Sequence, residues 1–394
     1  MRDAIKAVLS RWPGLRPSTR RPADNALVLT GGGSRAAYQA GVLQYIAEAF
    51  PEARFPILTG VSAGAINAAH LANHRGPLPE SVGNLTAWWG QLNTEHVLAP
   101  SSSVGFLFKM VRRGGREELG EALPRHGLVD TAPLRAYLHE KLRTDNGHLS
   151  GITRNIEEGH LKAFAVVTIN YGTGQTVSWM QGRNLNAWER PNRVGVMATL
   201  TIEHIMASTS LPFMFPAVRL GEAWHGDGGV RLAHPLAPAI YLGADRILAI
   251  TTRYERSRSE ADVPSVYGYP PAAQIFSLLM DAVFLDTLEQ DGLLLERINQ
   301  LVLQLPEHKR MGLRPITFLM IRPSVDLGKL AGEYEPHLTG VLRLLARALG
   351  SSDTTSPDWL SLLLFVPEYT RRLIEIGHRD AAQQHDKIAA FLSA

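Results

Sequence analysis

Hydrophobic positions along the chain change their period in a regular way. Residues 26–30, "ALVLT", form a short continuous apolar run closed by Gly31, Gly32 and Gly33, and "AAYQAGVLQYIAEAF" (36–50) follows with helical spacing. "FPILTG" (55–60) is a second short run, and the small residues after Ser62 again read as helix. Further runs of strand length stand at 161–170 ("LKAFAVVTIN"), 176–180 ("TVSWM"), 246–252 ("RILAITT") and 315–321 ("PITFLMI"). A strand that is apolar on both sides must be covered on both sides, which places it in a parallel sheet between two helix layers. The pattern predicts an α/β protein: a three-layer α/β/α sandwich with a mainly parallel central sheet, plus a mostly helical C-terminal region.

The ends and one internal stretch depart from this alternation. In residues 1–22, Ile5, Val8, Leu9, Trp12 and Leu15 keep near-helical spacing among Arg2, Lys6, Arg11 and Arg16 until prolines break the pattern. Such a basic amphipathic segment either lies on an anionic membrane surface or packs on the body. Residues 79–150 read as a mostly polar helical insertion with a glycine-rich interruption, "VRRGGREELG". From about 265, "AAQIFSLLMDAVFLDTLEQDGLLLERINQLVLQL" is apolar nearly all round, implying a buried or partner-covered helix pair. "GSSDTTSPD" (350–358) is a loop by composition, and "WLSLLLFVPEYTRRLIEIGHRD" returns to helix. The division expected is an appendix at 1–22, a catalytic body at 23–260 and a helical extension at 261–394.

Composition narrows the classes. With 40 Lys and Arg against 37 Asp and Glu, the formal charge of +3 over 394 residues leaves no nucleic-acid footprint. The absence of cysteine removes disulfides, thiolate metal sites and a cysteine nucleophile. Arg2, Asp3, Lys6 and Arg11 interrupt any secretory apolar core at the N-terminus. The longest charge-free window, Phe55 to His74, holds Pro56, Gly60, Ser62 and Gly64, and so reads as strand–turn–helix rather than a membrane span. A soluble, cytoplasmic or peripherally membrane-bound protein is expected, of undetermined oligomeric state.

Three pieces carry chemistry. In Gly60-Val61-Ser62-Ala63-Gly64 a serine stands in a sharp strand-to-helix turn, where its neighbours two residues away must be small because strand and helix converge. The triple glycine, about 30 residues earlier, ends a neighbouring strand and turns backbone N–H groups toward a common point, which suits a tetrahedral oxyanion. Arg35 beside it either clamps a phosphate or fixes the loop. The same glycines also fit a dinucleotide fingerprint, Gly31-x-Gly33-x-x-Ala36, although the acidic residue that reading needs at the end of the second strand is missing. The third piece is Asp227, followed at once by the turn residues Gly228 and Gly229. Two partners for Ser62 stay open: an aspartate with a histidine (His225, His234, His378 or His385), as in an α/β-hydrolase, or direct pairing with Asp227.

In this order "LTGGGSRAAYQAGVL", "GVSAG" and "GDGG" resemble the patatin-like phospholipase family, and "VVTINYGTGQTVSW", "ASTSLPFMFPAV" and "HPLAPAIYLGADRILAI" are similar to that family's body. The resemblance spans about residues 24–252. It implies an α/β/α sandwich that hydrolyses acyl esters of lipids with a Ser–Asp dyad: Ser62 as nucleophile, Asp227 as base, and Gly31, Gly32, Gly33, Ser34 and Arg35 as the oxyanion loop. Ala36 departs from the family's G-G-x-R/K-G loop at its last position. No metal or cofactor is implied. A lipid or other acyl ester is the expected partner, and the apolar residues of "LPFMFP" (211–216) and the C-terminal helices either line a pocket for its chain or simply fill the core. The non-enzymatic alternative is a membrane-associated scaffold that kept the fold and lost turnover.

Overall fold

A computed structural model describes residues 23–100, 127–262, 287–337 and 358–393, with single positions 269, 275, 278 and 279. The predicted appendix (1–22), the glycine-rich "VRRGGREELG" (111–120), most of the apolar run before 287 and nearly all of the loop at 350–358 lie outside the described residues.

Ten strands make one sheet: β1 (Asn25–Leu29), β2 (Ile57–Val61), β3 (Ala163–Asn170), β4 (Thr176–Gly182), β5 (Trp188–Arg190), β6 (Arg193–Met197), β7 (Val218–Leu220), β8 (Ala223–Asp227), β9 (Arg246–Ile250) and β10 (Thr317–Ile321). They run in the order β10-β9-β1-β2-β3-β4-β6-β5, with β8 pairing β3 and β7. From β10 to β3 every pair is parallel, as the apolar runs require. Beyond β3 the sheet turns mixed: "TVSWM" pairs antiparallel with β3 as a hairpin partner. The tight turn at 171–175 leaves no chain for a crossover helix, so a parallel placement there is excluded. Four short strands, β5 to β8, carry too few apolar residues to stand out in the sequence.

The main helices are α1 (Ala37–Ala49), α2 (Ala63–Asn73), α3 (Leu78–Gln91), α4 (Thr94–Val97), α5 (Ala132–Lys141), α6 (Ser150–Glu158), α7 (Ile202–Ser208), α8 (Thr287–Gln304), α9 (Asp358–Leu363) and α10 (Pro367–Ala382). Side chains alternate across the sheet. Leu27, Leu29, Leu58, Phe164, Val166, Leu248 and Ile250 point into the larger core, built with α1, α2, α3, α7 and α10. Their neighbours Ala26, Val28, Ala163, Ala165 and Ala249 face the smaller core under Leu236, Ala239, Leu288 and Leu295. The small alanine-rich face accepts a thin helix layer, while the leucine-rich face needs the deeper one. This is the expected three-layer sandwich.

C-terminal residues belong to both layers. In α10, Gly377 lies where a Cβ would meet the Tyr38 carbonyl oxygen at 2.1 Å, and a Cβ on Gly41 in α1 would meet that of Ile374 at 2.0 Å. Reciprocal glycines thus let α1 and α10 pack backbone to backbone. Helix α8 buries Leu288, Gly292, Leu295 and Val302 and leaves Leu293, Leu294, Leu301 and Leu303 exposed, so this chain itself covers it on one side. No helix among the described residues is long and apolar enough to cross a membrane.

Candidate active site

Strand β2 ends at Val61, and the chain reverses into α2 through Ser62, whose φ of 55° and ψ of −135° lie where an L-residue is strained. Two close approaches fix this turn. A Cβ on Gly60 would sit 2.6 Å from Ala65 Cα, and one on Gly64 would sit 2.3 Å from the Leu29 carbonyl oxygen. Ser62 is 8% exposed.

Sheet register explains what stands beside it. Along one edge of β3, β2 is the partner as far as Val61, opposite Val167. Opposite the next β3 residue, Thr168, the partner is no longer β2 but Asp227, at the end of the antiparallel β8. The carboxylate therefore fills the place that Ser62 vacates as the chain turns away. Asp227 is fully buried. Its Oδ1 accepts the Gly229 N–H at 2.9 Å, the first bond of the turn through Gly228 and Gly229. A Cβ on Gly228 would collide with the Val167 carbonyl oxygen at 2.4 Å. Among the described residues its Oδ2 has no hydrogen-bond partner of normal geometry, and Ser62 is the neighbouring hydroxyl that acts on the carboxyl. Burial raises the carboxyl to about 7, against the opposing pull of the Ser62 hydroxyl and the Gly229 amide. A carboxylate with this affinity for protons is a competent base near neutral pH.

The glycine loop packs against the same serine. A Cβ on Gly31 would touch Ser62 Cβ at 3.0 Å. Gly32 and Gly33 adopt φ of 147° and 54°, in the left-handed region that glycine enters without strain, and their amides donate to no acceptor among the described residues. The Thr252 hydroxyl holds the loop from below through the Gly31 carbonyl, at 2.9 Å. On its outer side the Ser34 hydroxyl donates to the Ser361 carbonyl at 2.6 Å, and Arg35 Nε donates to Ser361 Oγ at 2.5 Å. Arg35 is thus buried and engaged in fixing the loop, 3% exposed. Ser361 and Leu362 cover that side, and the cavity on the loop's other side is almost wholly apolar, a poor fit for the pyrophosphate of the dinucleotide reading.

None of the four histidines bonds to Ser62 or Asp227. His225, on β8, faces Thr168 Oγ1 at 3.0 Å; His234 pairs with Asp291, His378 with Glu48, and His385 with the Tyr45 hydroxyl. The geometry thus favours direct Ser–Asp pairing over a histidine-bearing triad. His70, near the end of α2, and His74, just beyond it, are four residues apart, a spacing found in metal-binding pairs that the sequence reading overlooked. His70 Nε2 is instead engaged by the Ser81 carbonyl at 2.7 Å, and burial lowers its pKa to about 4.

Two residues not singled out from the sequence organise the pair, one through its side chain and one through its backbone carbonyl. Ser208, fully buried at the end of α7, accepts the Ser62 N–H at 3.0 Å and donates to the Val167 carbonyl at 2.7 Å. Two residues on, the Ser210 carbonyl accepts the Asp227 N–H at 3.0 Å. The one signal in the sequence is the run of three hydroxyls, Ser208-Thr209-Ser210, ahead of "LPFMFP".

An almost wholly apolar cavity opens beside Ser62, Gly32 and Gly33. Its walls come from α2, α3, α4 and α5 (Ile66, Trp88, Trp89 and Leu138 among them), from Leu211 and Phe215, and from Leu362, Leu363 and Phe365. Such a slot fits a hydrocarbon chain and excludes water from the serine.

The family model of patatin-like phospholipase matches residues 27–240, more than half of the chain. Among solved structures, VipD from Legionella pneumophila is similar at 13% identity, covering 93% of this chain and 67% of that one, with a TM-score of 0.39. Human GIVD cytosolic phospholipase A2 bound to methyl gamma-linolenyl fluorophosphonate is similar at 13% identity, covering 98% of this chain and 63% of that one, with a TM-score of 0.42. This chain therefore spans about two thirds of the length of either structure. Curated proteins give no match. By the family model, this chain belongs to the patatin-like phospholipases.

Proposed function

We propose that the protein is a serine lipid acyl hydrolase that cleaves carboxylic esters through Ser62 and Asp227. The observation that carries this reading is the meeting of a strained serine and a buried carboxylate at the end of β2, beside an apolar cavity and two unengaged glycine amides.

The ester's acyl chain enters the cavity, which places its carbonyl over Ser62. As Ser62 Oγ attacks the carbonyl carbon, its proton passes to Asp227, and the C=O π pair moves onto oxygen. The amides of Gly32 and Gly33 stabilise that oxyanion; a single donor of this kind is worth about 2.7–4 kcal/mol in the transition state. The tetrahedral intermediate collapses, the C–O bond to the leaving alcohol breaks, and the alkoxide takes the proton from Asp227. Water then repeats the sequence on the acyl-enzyme: Asp227 removes its proton, and Ser62 leaves as the free alcohol with that proton returned. The fatty acid is released and the starting enzyme is regenerated. Burial of Asp227 makes the proton transfer feasible, because desolvation brings the carboxyl much closer to the affinity of a useful base.

Hydrolysis of p-nitrophenyl esters and of phospholipid vesicles by wild type, Ser62→Ala and Asp227→Asn tests the assignment. Both variants are expected to fold and to lose at least about 10³-fold in kcat, on the scale seen when members of a catalytic pair are removed. Turnover near the wild-type rate in either folded variant contradicts it.

A further inference from the structure

Residues 361–366, Ser-Leu-Leu-Leu-Phe-Val, lie beyond the stretch matched by the family model, and all six are buried. They form the end of α9 and the link to α10. On one side this segment bears on the glycine loop. Ser361 receives both the Ser34 hydroxyl and Arg35 Nε, and a Cβ on Gly33 would lie 1.9 Å from the Leu362 carbonyl oxygen. On the other side Leu362, Leu363 and Phe365 line the apolar cavity. The Phe365 carbonyl accepts the Thr94 hydroxyl at 3.2 Å, which ties the segment to the opposite wall at α4. Five residues on, in the first turn of α10, the Thr370 hydroxyl donates to the Trp89 carbonyl at 2.7 Å, on the wall built by α3.

Resting on the acyl-hydrolase reading above, we propose that Ser361–Phe365 is the acyl-chain selector of this protein. Phe365, with Leu362 and Leu363, sets how long a chain the cavity accepts, and Ser361 is a positioning residue for the oxyanion loop. The segment is anchored at both ends, by Arg35 and Ser34 at one and by Thr94 at the other, so it cannot retreat from a longer chain. In a close-packed wall of this kind, bulk at one position is read directly as substrate length. Because the same segment braces the glycine loop, a defect at Ser361 reaches the oxyanion donors without changing the shape of the cavity.

The test uses the full chain and a series of p-nitrophenyl esters from acetate to palmitate, with fluorophosphonate labelling of Ser62 as a parallel readout. Phe365→Leu is expected to move the preferred acyl length up by about two carbons and Phe365→Trp to move it down by a similar step. Ser361→Ala is expected to lower kcat about tenfold or more on every ester, with the preferred length unchanged. Leu363→Val, which trims one methylene, carries the same expectation of a longer optimum if a Phe365 variant does not fold. An unmoved length optimum in folded cavity variants, or wild-type kcat in Ser361→Ala, overturns the selector while wild-type labelling at Ser62 leaves the hydrolase reading standing. Failure of wild type to label at Ser62 overturns both.

Discussion

At Asp227, burial raises the carboxyl from an ordinary 3.8 to about 7, so between these values the folded protein holds a proton that the unfolded chain has released. Folding therefore binds protons over that range, and stability falls as pH rises through it, levelling off above about 7. With a tenfold change in proton affinity worth about 1.36 kcal/mol, the cost of keeping the ionised group is on the order of 4 kcal/mol. Asp227→Asn removes the charge and keeps an oxygen for the Gly229 amide. It is expected to melt higher than wild type at pH 8, with the difference shrinking toward pH 4, in thermal unfolding across pH. Activity runs the other way: kcat/KM of wild type is expected to rise about tenfold per pH unit below about 7 and then plateau, because only the ionised carboxylate accepts the Ser62 proton. A rise centred near pH 4, or an Asn variant no more stable at pH 8, contradicts this account of the residue.

At the scale of elements, three strands and one helix end set the reacting distance. β3 is the common ruler, since β2 and β8 share one of its edges in succession. The end of α7 holds both backbones, Ser62 through the Ser208 side chain and Asp227 through the Ser210 carbonyl. Ser208→Ala leaves the buried Ser62 N–H without its acceptor, a loss of about 1–3 kcal/mol, and frees the turn. It is expected to lower kcat between about tenfold and a hundredfold with KM little changed, and Ser208→Thr, which restores the oxygen, is expected to recover most of the loss. Steady-state kinetics on one ester separate this from plain destabilisation, which would reduce active protein without changing the kcat of the folded fraction. The sequence made β1, β2, β3, β9 and β10 legible because each is a nearly continuous apolar run. It also marked the turns at Gly31–Gly33, Gly60–Gly64 and Gly228–Gly229, where only small residues fit. It did not reveal that β4 and β8 run antiparallel to β3, because direction depends on loop length and pairing rather than on side-chain pattern. Ser208 was equally hidden: a hydroxyl that bonds two backbones looks, in sequence, like any other serine.

Across the whole molecule, the site is a product of distant stretches of chain. Ser62 belongs to the N-terminal half, Asp227 to the middle, and the cover over the glycine loop to Ser361 and Leu362 near the C-terminus. Alternating strands and helices predicted the sandwich, and the C-terminal helices were a candidate wall for an acyl chain, but nothing in "WLSLLLFVPEYTRR" marked Ser361 and Leu362 as the cover over the glycine loop, since a buried apolar segment reads the same wherever it docks. The reciprocal glycines Gly41 and Gly377 hold that C-terminal layer against α1. The central claim is that this assembly activates one hydroxyl out of all those in the chain. The most direct measurement is labelling with an alkyl fluorophosphonate, with the modified residue mapped by peptide mass. A single label on Ser62 is predicted, absent in Ser62→Ala and at least about 10³-fold slower in Asp227→Asn. Labelling at another residue, or at Ser62 with wild-type speed in folded Asp227→Asn, would contradict the account.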